Sequence, residues 1–136
     1  MSVCFGDTSY FLALLIAGDE NHAAAQEWAA RSRNPIVTTE FVVLEVANFL
    51  SPPATRGLLA GFLRALYSDA RLTLLGASSE QLKQGCDLYL ARKDKSWSLT
   101  DCISFEIMRQ RGITDALTAD RHFEQAGFNV LLSTRR

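Results

Sequence analysis

Four carboxylates, Asp7, Glu45, Asp101 and Asp120, stand where an acid serves either as a helix cap or as a metal ligand. Asp7 closes the apolar run Val3-Cys4-Phe5-Gly6 and opens a helical stretch, and Asp120 does the same after Ala116-Leu117-Thr118-Ala119. Asp101 follows Ser98 at the spacing of a capping box, although that box prefers Glu or Gln. Each of these three has an ordinary explanation, because a carboxylate at a helix start accepts hydrogen bonds from free backbone N–H groups. Glu45 has no such explanation. It lies in Phe41-Val42-Val43-Leu44-Glu45-Val46-Ala47-Asn48-Phe49-Leu50, a helix apolar on nearly all sides and expected to be buried. A lone ionised carboxylate there is costly, or stays neutral by shifting its pKa. No Lys or Arg lies one turn away, and the amide of Asn48 neutralises nothing. A metal ion, a charge from elsewhere in the fold, or an exposed strip on the helix would each resolve the cost.

Carboxylates gathered in one place repel. At about 4 Å the repulsion is on the order of 4 kcal/mol at an intermediate dielectric. Mg²⁺ or Mn²⁺ offsets it, since these ions prefer oxygen ligands and retain waters. Such ions activate water and stabilise charge on a phosphate and on the leaving oxygen. An all-oxygen acid set without a His or Cys cluster therefore suits phosphodiester hydrolysis better than zinc chemistry. Asp115 competes with Asp120 for the fourth place. A strand of five residues separates the two by roughly 16 Å, so only one can join the site. Asp120 is preferred, because the carboxyl end of a parallel strand is the active face.

The elements that must position these acids alternate short apolar runs with longer helical stretches, the pattern of βαβ units and a mainly parallel sheet. Strands are expected near residues 3–6, 35–37, 72–75, 116–119 and 129–132. Helices are expected from Asp7 through Ile16 and over 21–32, 40–50, 55–68, 79–92, 99–111 and 121–126. Thr39 is a candidate cap for the helix that Pro52-Pro53 end. The helix over 99–111 has the clearest ends, with Ser98 before it, Arg109 and Arg111 in its last turn and Gly112 after it.

The chain has 136 residues, 48% of them hydrophobic, which suits one domain over 1–136 with a core that needs no disulfide or structural metal. Cys4, Cys86 and Cys102 are odd in number and show no C-x-x-C spacing, which fits a reducing cytoplasm. The apolar stretch 3–17 lacks a basic leader, is broken by Asp7 and is too short to span a bilayer, so no membrane segment is expected. A net charge of −1 argues against coating nucleic acid by bulk charge. A local basic rim would still serve, drawn from Arg31, Arg33, Arg92, Lys93, Lys95, Arg109, Arg111 and Arg121. Trp28 and Trp97 read as packing residues, and neither His122 nor His22 is assigned a role.

Asp7-Thr8-Ser9, Glu45 in its apolar helix, Leu99-Thr100-Asp101 and Leu117-Thr118-Ala119-Asp120-Arg121-His122-Phe123 together resemble, in order and spacing, the PIN domain. The likeness is nearest to the VapC-type toxins of toxin–antitoxin systems and covers essentially the whole chain. It implies a three-layer α/β/α sandwich with a mainly parallel four- or five-stranded sheet. It implies a Mg²⁺- or Mn²⁺-dependent endoribonuclease that hydrolyses RNA by metal-activated water, leaving 5′-phosphate and 3′-hydroxyl ends. Asp7, Glu45 and Asp101 would be the core metal-binding and catalytic acids and Asp120 the fourth. Ser9 would support the first Asp, and Thr100 is a weaker supporting candidate. The resemblance also implies a homodimer, and a groove between the apolar helices Tyr10–Ile16 and Leu58–Tyr67 for an antitoxin peptide. The alternative is a catalytically inactive PIN-like or receiver-like α/β module that binds a protein partner. Lys83, Lys93 and Lys95 follow no strand end, which counts against a receiver. Ser9 in place of the second acid of D-x-D counts against an aspartyl phosphatase.

Overall fold

The structure, a computed structural model, describes residues 2–132. Strand and helix alternate: β1 (Cys4–Gly6), α1 (Thr8–Leu15), α2 (His22–Arg31), β2 (Ile36–Thr39), α3 (Glu40–Phe49), α4 (Pro53–Arg56), α5 (Leu58–Ser68), β3 (Leu72–Leu75), α6 (Ser79–Ala91), α7 (Leu99–Arg111), β4 (Asp115–Leu117), α8 (Arg121–Gln125) and β5 (Asn129–Val130). The five strands form one sheet in the order β3-β2-β1-β4-β5, and every pairing is parallel. Helices cover it to make the expected α/β/α sandwich. Short strands buried on both faces, such as β1 and β2, need the helical cover that parallel crossovers supply.

Strand order fixes where ligands can bind. The chain builds outward from β1 through β2 to β3, then returns to lay β4 on the other flank of β1. The crevice at this reversal opens at the carboxyl ends of β1 and β4. Cys4 pairs with Asp115 and Gly6 with Leu117, so the residues after each strand, Asp7 and Thr118, meet at that crevice. Asp115 sits at the opposite end of β4, where Asn129 donates to it at 3.1 Å.

An aromatic cluster locks α7 to α8. The Phe105 ring packs edge-on against Trp97 at 5.0 Å and Phe123 at 4.9 Å, and Phe128 closes the group. Both helix starts, and with them Asp101 and Asp120, are thereby held at one place.

Several expectations change in detail. The helix over 55–68 is two helices, α4 and α5, which meet at Gly57. The fourth strand runs over 115–117, so Thr118 and Ala119 form a short connection to Asp120, and β5 keeps only two residues. The largest difference is α3. It buries Val42 and Val46, but leaves Leu44 60% and Phe49 62% exposed. Its apolar composition overstated its burial because Leu44 and Phe49 face outward.

Candidate metal centre

Asp7, Thr8, Ser9, Glu45, Asp101, Asp120 and His122 line one cavity of about 280 Å³, together with Leu12, Phe49, Ser96 and Ser98. All four acids singled out in the sequence are therefore brought to one place. Asp115 and Thr100 are not among the lining residues.

Asp7 is the deepest of the acids, only 3% exposed. It is the N-cap residue of α1, yet its side chain makes no capping bond. Its carboxylate turns instead to Thr118, whose hydroxyl donates to Oδ2 at 2.8 Å. Thr118 is fully buried, and its oxygen accepts from the Asp120 N–H at 3.0 Å. Because Thr118 gives its proton to Asp7, the 2.7 Å contact between Ser9 and Thr118 has Ser9 as donor. Ser9 in turn accepts from the Ala119 N–H at 3.1 Å. Its own distance to Asp7 is 3.4 Å, so it supports that acid chiefly through Thr118. Burial pushes the Asp7 carboxyl up to about 7, the Thr118 hydrogen bond opposes the rise, and the nearby Asp101 and Asp120 charges add to it.

Asp101 is both cap and site residue. Ser98 Oγ accepts from the Asp101 N–H at 3.0 Å, and Asp101 Oδ2 accepts from the Ser98 N–H at 3.1 Å, completing a capping box with Asp in the usual Glu place. The same oxygen faces His122 Nδ1 at 3.0 Å. Burial raises the Asp101 carboxyl, while the bonds from His122 and Ser98 work against it. Asp120 caps α8 by accepting from the His122 N–H at 2.9 Å. Its Oδ1 also lies 3.5 Å from His122 Nδ1. With two carboxylates facing Nδ1, that nitrogen carries the ring proton and acts as donor. One ligand atom from each of Asp101, Asp120 and His122 falls within 4.8 Å of the others.

Glu45 reaches the cavity from α3. It is half-buried, and the Thr8 hydroxyl donates to its Oε1. The half-exposed helix resolves part of the cost expected for a buried acid, and Thr8 supplies a partner.

The donor set fits a divalent cation. Asp7 is buried among like charges, and among the described residues no Lys or Arg lines the cavity. Hard oxygen donors at three helix starts, with one imidazole beside them, are a set that can hold a metal ion. Sequence reading missed Thr118, Thr8 and His122 as site groups. Each lies within two residues of a chosen acid in the chain, which was the available signal, but a Thr inside an apolar run also reads simply as a strand former.

Residues 4–129 match the PIN domain family. The chain belongs to that family. Its PIN domain is similar to the 23S rRNA-specific endonuclease VapC20 of Mycobacterium tuberculosis. The two are 33% identical over 127 residues, which cover 91% of this chain and 94% of the relative, in each of two strains. It is also similar to the crystal structure of Mycobacterium tuberculosis VapC20, described as a Sarcin-Ricin loop cleaving toxin. That superposition has a TM-score of 0.84 and 25% identity and covers 93% of this chain and 96% of the other. The chain is thus a PIN-domain homologue of VapC-type endoribonuclease toxins.

Proposed function

We propose that this PIN-domain chain is a Mg²⁺- or Mn²⁺-dependent endoribonuclease and the toxin of a toxin–antitoxin pair. The observation that carries the reading is the convergence of Asp7, Glu45, Asp101 and Asp120 on one cavity with no Lys or Arg among its described lining residues. Asp7, Asp101 and Asp120 would hold the ion, with Glu45 facing them from α3. When bound, the ion supplies neutralising charge for the phosphate and Lewis-acid activation of water. The chain's own residues set up that chemistry. Thr118 and Ser9 fix the Asp7 carboxylate, Ser98 fixes Asp101, and His122 bridges Asp101 and Asp120. Retention of all four acids disfavours a degenerate binding module.

The relatives' specificity for 23S rRNA makes ribosomal RNA the first substrate to try. An antitoxin segment fits a pocket of about 140 Å³ between α1 and α5, where Phe11, Leu14, Leu15, Phe62 and Leu66 offer apolar walls. The Asp69–Arg71 pair, at 3.3 Å, gives it a polar edge. A homodimer and a cytoplasmic location complete the reading. Among the described residues no helix is long and apolar enough to cross a membrane.

The test is cleavage of purified ribosomal RNA with Mg²⁺ or Mn²⁺, repeated with chelator and with Asp101→Asn. Both changes are expected to abolish cleavage. Cleavage that persists in the variant, purified free of contaminating ribonuclease, would overturn the assignment.

A further inference from the structure

A second depression borders the acid cavity and has no part in the chemistry above. It encloses about 660 Å³ and is lined mainly by Tyr89 and Leu90 of α6 and by Trp97 and Leu99 at the start of α7. Ser96 and Ser98 line both this groove and the acid cavity, so the two form one continuous surface. Tyr89 is 48% and Leu90 64% exposed. The connection from α6 to α7 carries Arg92, Lys93 and Lys95. Arg92 and Lys95 lie over the buried Trp97 ring, at 5.0 Å and 5.9 Å from its centroid. Arg92 is tied to Asp94 by two bonds of 3.0 Å, whereas Lys95 stands 4.0 Å from that acid. Lys93 is exposed and makes no ion pair among the described residues.

A cavity of four acids does not attract a polyanion by itself, so a substrate strand needs cations beside it. Arg31 and Arg33 lie at the end of α2, and Arg109 and Arg111 end α7, at the far end of that helix from Asp101. The 92–95 connection instead runs directly into Ser96 and Ser98 at the cavity wall. An exposed aromatic ring, the unpaired ammonium of Lys93 with the more weakly held one of Lys95, and continuity with the acid cavity are the elements of a single-strand platform. An apolar peptide would use Tyr89 and Leu90 but gains nothing from the lysines or from the acid cavity.

We propose that this groove is an RNA subsite for an unpaired nucleotide flanking the scissile phosphate. Tyr89 stacks on its base, and Lys93 and Lys95 face the backbone phosphates. The assignment rests on the ribonuclease reading for its substrate.

The test compares the wild-type chain with Tyr89→Ala, Tyr89→Phe and Lys93→Glu. Two readouts are used: steady-state cleavage of ribosomal RNA, and anisotropy of a fluorescent single-stranded oligoribonucleotide of roughly twelve nucleotides. Tyr89→Ala is expected to raise KM and the oligonucleotide Kd about tenfold, with kcat within about twofold, since one base–aromatic stack is removed. Tyr89→Phe keeps both near wild type, and Lys93→Glu weakens binding and flattens its salt dependence. Unchanged KM and Kd in Tyr89→Ala, with wild type cleaving normally, would overturn the subsite alone. So would a Tyr89→Ala chain whose sedimenting mass falls while KM stays fixed, because the groove would then belong to a second copy. A wild-type chain that cleaves nothing, yet binds the oligonucleotide through Tyr89, would support the groove and defeat the ribonuclease reading instead.

Discussion

Thr118 is the side chain on which the deepest acid depends. It donates to Asp7 and accepts from Ser9 and from the Asp120 N–H, so one hydroxyl ties two of the four acids together. Thr118→Val keeps the shape and removes the donor. Partners of metal ligands cost about 10–100-fold in metal affinity or activity when lost, and that loss is expected here, read by metal titration of the cleavage rate. Asp7 makes a separate prediction. Its carboxyl rises from 3.8 to about 7 in the fold. A group raised in this way contributes stability that is fully present below its unfolded value and is lost as pH rises through its folded one. Metal-free protein should therefore lose on the order of 4 kcal/mol at most between about pH 4 and pH 8. Chemical denaturation checks this, and Asp7→Asn should remove most of the slope. Mg²⁺ or Mn²⁺ at about a hundred times its Kd should restore roughly 2.7 kcal/mol at the alkaline end. Asp7, Asp101 and Asp120 were legible in the sequence because they sit at strand ends and helix starts, and Glu45 because it interrupts an apolar helix. Their hydrogen-bond partners were not, because Thr8 and Thr118 meet their acids across 37 and 111 residues of chain.

The helices that carry the acids are set by local chemistry and by one close approach. The α7 ends were readable because both use strong signals, the Ser98 box and Gly112, which takes φ 67 in the left-handed region. The burial of α3 was not readable, because composition does not say which apolar face finds a partner. Nor was the contact between α6 and α7. A Cβ added at Gly85 would lie 2.3 Å from Ile103 Cγ1 and 3.1 Å from the Ile103 backbone. Gly85→Ala must therefore push the two helices apart near Asp101. Overpacking of this kind costs about 1–3 kcal/mol, measurable as a shifted denaturation midpoint, and activity should fall with it. Ser98→Ala loses a cap worth about 1 kcal/mol but keeps the Ser98 N–H that holds the Asp101 carboxylate, so its activity loss should not exceed what its stability loss explains.

Across the whole molecule the net charge is −1, so the proposed activity on RNA requires a local attraction. Of the eight basic residues considered as a rim, only Arg92, Lys93, Lys95 and Arg121 border the acid cavity along the chain. If these four carry the phosphate contacts, log affinity for single-stranded RNA should fall with log salt at a slope of about −3 or shallower. A much steeper slope would place the contacts elsewhere. The parallel topology was legible from the alternation of strand and helix. The order of the strands was not, since alternation alone does not say on which side of β1 the chain returns, and it is that return which joins Asp7 to Asp120.

Whether the acid cluster is a metal site is decided by anomalous scattering from crystals grown with Mn²⁺. A Mn²⁺ peak is expected among the carboxylates of Asp7, Asp101 and Asp120, lost in Asp101→Asn crystals. Saturating Mn²⁺ with no peak in that cavity, or with the ion bound only elsewhere, would contradict it.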